Sequence, residues 1–382
     1  MKLAVGIDVH KEKCVAHVTH CGLNEPKPKQ KEFLDRINEE FRRFPSDVRG
    51  LTDLARALKG HEIHILIENS TKSHDVYWIL KGLDLDVTVA HATDLKQITM
   101  SQRKNDDNDA YKLAHYMRRR MLGEVEFHES HIPSRDVLIR RELCRMMLDD
   151  KCDLTKVKRQ IRAHLLIRGV RLSKDYKDVC CINALRELKE SRDVILMLDA
   201  KRAETLKERI LFQEKTLRHA FADDSVFQSV YSIPGFGILS AAYVSCMGDD
   251  FSRFPDGRMY AASIGVIPKQ DESADKGREC GITRRGDAEL RRLLCQATFV
   301  HVNNADSFIT DKYRRLKAAG KKHNEVLVAC ANSMARLIYK LASKGLMYEG
   351  DPEILNKCRT LDNGDVEDQM EEFWFFPYLS GF

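Results

Sequence analysis

Residues 135–168 run for 34 positions without a glycine or a proline, and Leu, Ile, Met and Val recur through them at three- and four-residue steps. That spacing predicts one long helix, and residues 191–220 repeat it. Two such helices in succession pair as an antiparallel hairpin or a coiled-coil arm, so the chain is divided by a helical element. The first of the two carries ten basic against five acidic residues. Such a face either is solvated or contacts phosphates.

Before the arm the pattern is different. Residues 2–9 (KLAVGIDV), 14–20 (CVAHVTH), 62–68 (EIHILIE) and 86–92 (DVTVAHA) are short, β-branched runs bounded by polar residues and read as strands. Residues 47–58 and 73–83 have helical spacing, and the alternation predicts an α/β domain. After the arm, YSIPGFGILSAAYVSCMGD opens another region, with helices expected over 287–303 and 323–344. We therefore expect four segments: an α/β domain over 1–125, a helical arm over 126–224, a mostly helical domain over 225–348, and a tail over 349–382.

A length of 382 residues with 43% hydrophobic residues suits two or three folded domains and excludes a disordered or fibrous chain. Eleven scattered cysteines, an odd number with no CxxC spacing, argue against a disulfide framework or a zinc ribbon. No run approaches the ~18 apolar residues of a membrane span, and Asp8 is reached before a signal core forms; a cytoplasmic protein is expected. The net charge of +5 conceals an acidic tail of −7 on a body of +12. A basic body suits a polyanionic partner.

Asp8 interrupts an apolar strand, on the face opposite Val5, Ile7 and Val9, and Glu68 closes another strand. Each acid is a strand-end cap by itself; two on separate strands suit a shared cation. In RKNDDNDAYKLAHYM a helix opening near Asp106 puts Asp106, Asp109, Ala110, Leu113 and Met117 along one stripe, with Asp107 off it. The acids there either cap the helix or, with Asp8 and Glu68, bind divalent cations for phosphodiester chemistry. IPGFG (233–237) has glycines that let backbone amides approach a phosphate, or it is a tight helix entry.

GIDVHK, IENST and the K-N-D-x-x-D-A run from Lys104 to Ala110 together resemble the Asp-Glu-Asp-Asp signature of the DEDD transposases of insertion sequence family 110, which include the Piv-like DNA invertases. The later run SIGVIPKQDESADKGRECGITRRGDAELRRLL is similar to that family's second motif, with Pro268, Ser273 and Gly286 in step and Ala274 where the family keeps glycine. The resemblance covers about residues 3–345 and leaves out the tail. It implies an RNase H-like (RuvC-like) fold for the first domain, with Asp8, Glu68, Asp106 and Asp109 as catalytic metal ligands. IPGFG is similar to a helix-hairpin-helix turn of the second domain.

The same resemblance implies a DNA transposase or site-specific recombinase in which Ser273 is the nucleophile and forms a phosphoserine intermediate. It implies Mg²⁺, as two ions, with Mn²⁺ as a substitute, and a composite site in a homo-oligomer, a dimer or tetramer. Its expected partners are donor and target DNA and a structured bridge RNA as guide, in a bacterial, nucleoid-associated setting. Lys104, Arg159, Arg162, His164, Arg284 and Arg285 are the basic candidates for nucleic-acid contact. Two other readings remain open at this point. One is a metal-dependent junction nuclease that needs the acids and not Ser273; the other is a non-catalytic nucleic-acid-binding protein.

Overall fold

The computed structural model describes residues 1–90, 106–267, 281–283 and 286–348; of Asp106 it describes the backbone alone. Lys104, Ser273, Ala274, Arg284, Arg285 and the tail lie outside the described residues. The chain divides into two compact units, Met1–Pro133 and Ser134–Phe382.

The first unit is a mixed α/β structure. Strands β1 (Lys2–Val9) and β2 (Lys13–His20) form an antiparallel hairpin, with Gly6 opposite His17. Helix α1 (Pro28–Glu40) and a two-residue strand β3 (Phe44–Pro45) follow; neither is expected from the sequence pattern. Lys and Glu outnumber apolar residues along α1, which buries only Leu34 and Ile37, so its periodic signal is thin. Helix α2 (Val48–Ala57) starts at Asp47, whose carboxylate accepts from the Gly50 amide at 2.9 Å. Then come β4 (Glu62–Glu68), α3 (Ser73–Gly82), β5 (Asp86–Ala90) and helix α4, Asp106–Met121.

The sheet order is β3-β2-β1-β4-β5, with β1, β4 and β5 parallel and β2 and β3 antiparallel. Strand alternation divides its two faces. Leu3, Val5 and Ile7 pack with Ile65, Ile67, Val87 and Val89 against residues of α1, α2 and α3. Ala4, Leu66 and Ala90 pack on the other face with Leu113, Tyr116 and Met117 of α4. Each fully buried aliphatic side chain in these layers contributes about 1.5–3 kcal/mol.

The second unit is helical. Helix α5 (Arg135–Arg168) begins at Ser134, which accepts from the Val137 amide, and stops at Gly169 in the left-handed region, φ 62°. A short helix α6 (Ile182–Glu190) precedes α7 (Val194–Ala220). The second long helix therefore starts at Val194 rather than 191: Arg192 has φ 57°, and Asp193 caps the amides of Ile195 and Leu196. Arg168 meets Asp193 at 2.7 Å, His164 meets Asp199 at 2.6 Å, and Gln213 donates to Asp150 at 2.8 Å. As one residue number falls the other rises, so α5 and α7 run antiparallel. Val157 and Ile161 share their seam with Leu196, Ala200, Ala203 and Leu206.

Six further α-helices follow among the described residues of this unit: α8 (Ser225–Tyr231), α9 (Ile238–Gly248), α10 (Gly257–Ile264), α11 (Ala288–Asn304), α12 (Phe308–Ala318) and α13 (His323–Ala342). Helix α9 is apolar on nearly every side and is buried, as such a helix must be. Among the described residues no helix is long and apolar enough to cross a membrane.

Candidate active site

The parallel register between β1 and β4 runs from Lys2 opposite Glu62 to Ile7 opposite Ile67, and the next pair along it is Asp8 and Glu68. Paired residues of neighbouring strands share a face, and two-residue alternation puts Asp8 with Ala4 and Gly6, and Glu68 with Leu66. Both acids thus stand at the carboxyl ends of adjacent parallel strands, on the face covered by α4.

Gly6 explains how α4 comes so close. A β-carbon there would lie 2.2 Å from the Ala110 carbonyl oxygen and 2.3 Å from the Ala114 amide nitrogen. Only a residue without one lets the helix backbone rest on the strand. At its other end α4 reaches the start of β1: Arg118 donates to the carbonyls of His20 and Gly22, and the Cys21 amide donates to that of Lys2. The helix is therefore antiparallel to β1, and its first turn, with Asp106 and Asp109, lies toward the Asp8 end. Ala110, Leu113 and Met117 are buried, the expected lower part of the stripe.

Local partners separate the acids of that turn. Asp107 is held by the Arg42 guanidinium, whose Nε donates to it at 3.0 Å, whereas Asp109 pairs with Lys112 of its own helix at 3.1 Å. Asp8 lies 3.2 Å from Nε2 of His10. Burial pushes the Cys14 thiol up to about 12, the negative charge of Asp8 adds to the effect, and the positive charge of Lys72 opposes it. The sequence reading singles out neither His10 nor Lys72; both sit in the motifs already noted, GIDVHK and the turn after IENS.

As a metal site, Asp8 and Glu68 offer hard oxygen donors at neighbouring strand ends, the donor chemistry that a divalent cation requires. No group of three His, Cys, Asp or Glu side chains close enough to hold an ion occurs among the described residues, which do not include the Asp106 side chain.

In the second unit the Thr283 amide donates to the Ile267 carbonyl at 3.1 Å. Gly286, with φ 77°, lies where a β-carbon would meet the Ser263 carbonyl oxygen at 2.0 Å, so this motif glycine serves close packing. Asp287 caps α11 through the Leu290 amide and accepts from the Tyr243 hydroxyl. The IPGFG turn joins α8 to α9. Gly235, φ 100°, packs there against the Ala297 carbonyl oxygen of α11, and the Pro234 carbonyl bonds to Nδ1 of His301. Of the basic candidates on α5, Arg159 is exposed, Arg162 donates to the Lys177 carbonyl, and His164 is paired with Asp199.

Comparison with known proteins finds matches in both units. Residues 5–167 match a DEDD domain of the IS110 type, described as Transposase, and residues 228–314 match the description Transposase IS116/IS110/IS902 family. The chain is 30% identical to the transposase for insertion sequence element IS1328 of Yersinia enterocolitica, over 37% of this chain and 43% of that protein. It is also 30% identical to a probable family 20 transposase of Pseudomonas aeruginosa, over 43% and 46% respectively. The alignment thus spans less than half the length of these two relatives. With the transposase for insertion sequence element IS1111A of Coxiella burnetii the identity is 26% over 74% of this chain and 79% of the relative.

Proposed function

Because this chain belongs to the IS110 family of DEDD transposases, we propose that it cuts and rejoins DNA at the ends of an insertion element and at its target. The observation that carries this reading is that Asp8 and Glu68 directly follow Ile7 and Ile67, the last paired residues of two adjacent parallel strands, on the face covered by the helix that begins with Asp106 and Asp109. The strand order β3-β2-β1-β4-β5, with its antiparallel hairpin edge, supports an RNase H-like domain over 1–125. Residues 126–224 act as the helical arm, 225–348 as the serine-bearing domain, and 349–382 as an acidic, aromatic tail.

A DEDD domain implies a divalent metal, and Asp8, Glu68, Asp106 and Asp109 are the residues that would hold it, as two ions, with Mg²⁺ preferred. When bound, the metal polarises the scissile phosphate and stabilises charge on the attacking and leaving oxygens. In the proposed step the Ser273 hydroxyl loses its proton to a neighbouring base and its oxygen attacks phosphorus. One phosphorus–oxygen bond of the strand breaks, and the departing oxygen takes up a proton to leave a free hydroxyl. The resulting phosphoserine keeps the phosphodiester bond energy for rejoining, so no ATP is needed. Ser273 of one copy meets the acids of another in a dimer or tetramer. A bridge RNA selects donor and target by base pairing, and the protein contacts backbone and shape, with Lys104, Arg284 and Arg285 near the proposed chemistry. Such a reaction takes place on the bacterial nucleoid, in the cytoplasm.

The test is a denaturing gel of the protein incubated with donor and target duplexes, the element's flanking RNA and Mg²⁺. A protein-linked DNA strand is expected, lost in Ser273→Ala and in Asp8→Ala. Cleaved DNA without an adduct, surviving Ser273→Ala, makes the chain a junction nuclease instead.

A further inference from the structure

A groove of about 720 Å³ opens in the second unit, where α5, the start of α9 and α11 converge. Its rim is cationic. Lys151, Lys156 and Arg159 come from α5 and Arg292 from α11; Lys156 is paired with Asp153 at 2.8 Å and Arg292 with Glu289 at 2.7 Å, and the one lining acid, Glu214, is engaged by Arg218 at 3.4 Å. Neither Lys151 nor Arg159 has an ion-pair partner among the described residues, and both are exposed. The floor is apolar, formed by Met147, Leu148 and Leu293 with Ala297.

The third wall is backbone. Gly237 precedes α9, an 11-residue helix whose first residues, Ile238 and Leu239, line the groove, so the positive end of its dipole lies at the groove wall. A β-carbon at Gly237 would meet nothing within 4 Å. Lys151 and Arg159 are eight residues apart on one helix face, about 12 Å along its axis at ~1.5 Å per residue. Over that length a stacked strand presents three or four phosphates at ~3.4 Å each.

We propose that this groove binds the phosphodiester backbone of an unpaired nucleic-acid strand, RNA or DNA. The combination of a cationic rim with an apolar floor selects the unpaired state. A duplex offers phosphates and keeps its base faces stacked inside, whereas a single strand offers both phosphates and apolar base surface. Arg159 contacts the strand directly, and Lys151, Lys156 and Arg292 line its path. Arg162 and His164, on the same helix, are committed to the arm's own bonds. The inference rests on the proposed action on nucleic acid and specifies where the unpaired strand lies.

The test uses the full chain in metal-free buffer, so that no cleavage contributes, with fluorescent 12-nucleotide oligo(U), oligo(dT) and a mixed-sequence duplex. In Lys151→Glu/Arg159→Glu we expect the affinity for single strands to fall at least about tenfold. The slope of log affinity against log salt should lose ~1.4, two contacts at ~0.7 each, while duplex affinity falls less than about threefold. Arg159→Glu alone, should the double variant not fold, is expected to show about half the slope change, and Arg162→Glu to stay within about twofold of the parent. Unchanged single-strand binding in the groove variants overturns the assignment, as does an equal loss for duplex or for Arg162→Glu. Selective loss of oligo(U) or of oligo(dT) identifies the strand as guide or as DNA. Because nothing is cleaved, this result stands apart from the adduct assay: loss of the adduct chemistry leaves the groove measurement intact, and the reverse.

Discussion

In the first unit Gly6 lets α4 rest on β1 beside Asp8 and Glu68, and in the second Gly235 lets a turn rest on α11 beside a groove rimmed by Lys151, Arg159 and Arg292. Both contacts bring backbone against backbone at a distance that excludes a β-carbon, yet one brings acids to a strand end and the other lines a cationic recess. Gly6 is needed for space alone, in an ordinary strand conformation; Gly235 is needed for space and for a φ of 100°. The difference teaches that close packing is the shared means and that surface charge sets the purpose. A polyanion is attracted to the groove and repelled by the acids unless cations intervene.

The largest effect is expected within the acidic turn. Asp106→Asn is expected to lower strand cleavage by about a thousandfold or more, as removal of a direct participant does, while Asp107→Asn, whose carboxylate serves Arg42, keeps cleavage within about fivefold. Rates from the gel assay decide it, and equal losses break the assignment of the turn. Next come the glycines. Gly6→Ala and Gly235→Ala are each expected to cost about 3–5 kcal/mol, because the nearest obstacles are backbone atoms at 2.2 and 2.4 Å. Denaturant unfolding measures both. A small loss at Gly6 means that α4 can lift from the sheet, and the acids would no longer be positioned by it.

The smallest effect concerns pH. Burial, reinforced by His115, lowers the His17 imidazole to about 4, and His17 stacks on His115 and meets Tyr111 edge-on, both of α4. A histidine neutral in the folded state binds more protons when unfolded, so stability falls as pH drops from about 6.5 to about 4. His17→Gln is expected to flatten that part of the melting-temperature profile of the first unit. An unchanged slope would assign the acid sensitivity elsewhere.

Much of this architecture is written in local pattern. Alternation in KLAVGIDV and EIHILIE specifies strands and places Asp8 and Glu68 opposite the apolar face, because a two-residue period leaves a strand no other choice. The 3.6-residue period of 135–168 specifies α5, and Ser134 and Gly169 mark its ends. Helix α1, with two buried residues, and the start of α7, moved by the Asp193 cap, lie beyond a pattern that weighs apolar spacing alone.

What the chain by itself determined is which residues carry charge and which periods they obey, since both are properties of neighbours in sequence. The tertiary structure alone decided that Ile7 pairs with Ile67, the residues just before Asp8 and Glu68, that Gly6 seats a helix contributed by residues a hundred positions later, and that Arg159 lines a groove while Arg162 three residues on is tied to the arm. These depend on pairings between distant segments, which are fixed by packing and by the completion of hydrogen bonds, and no local spacing encodes them.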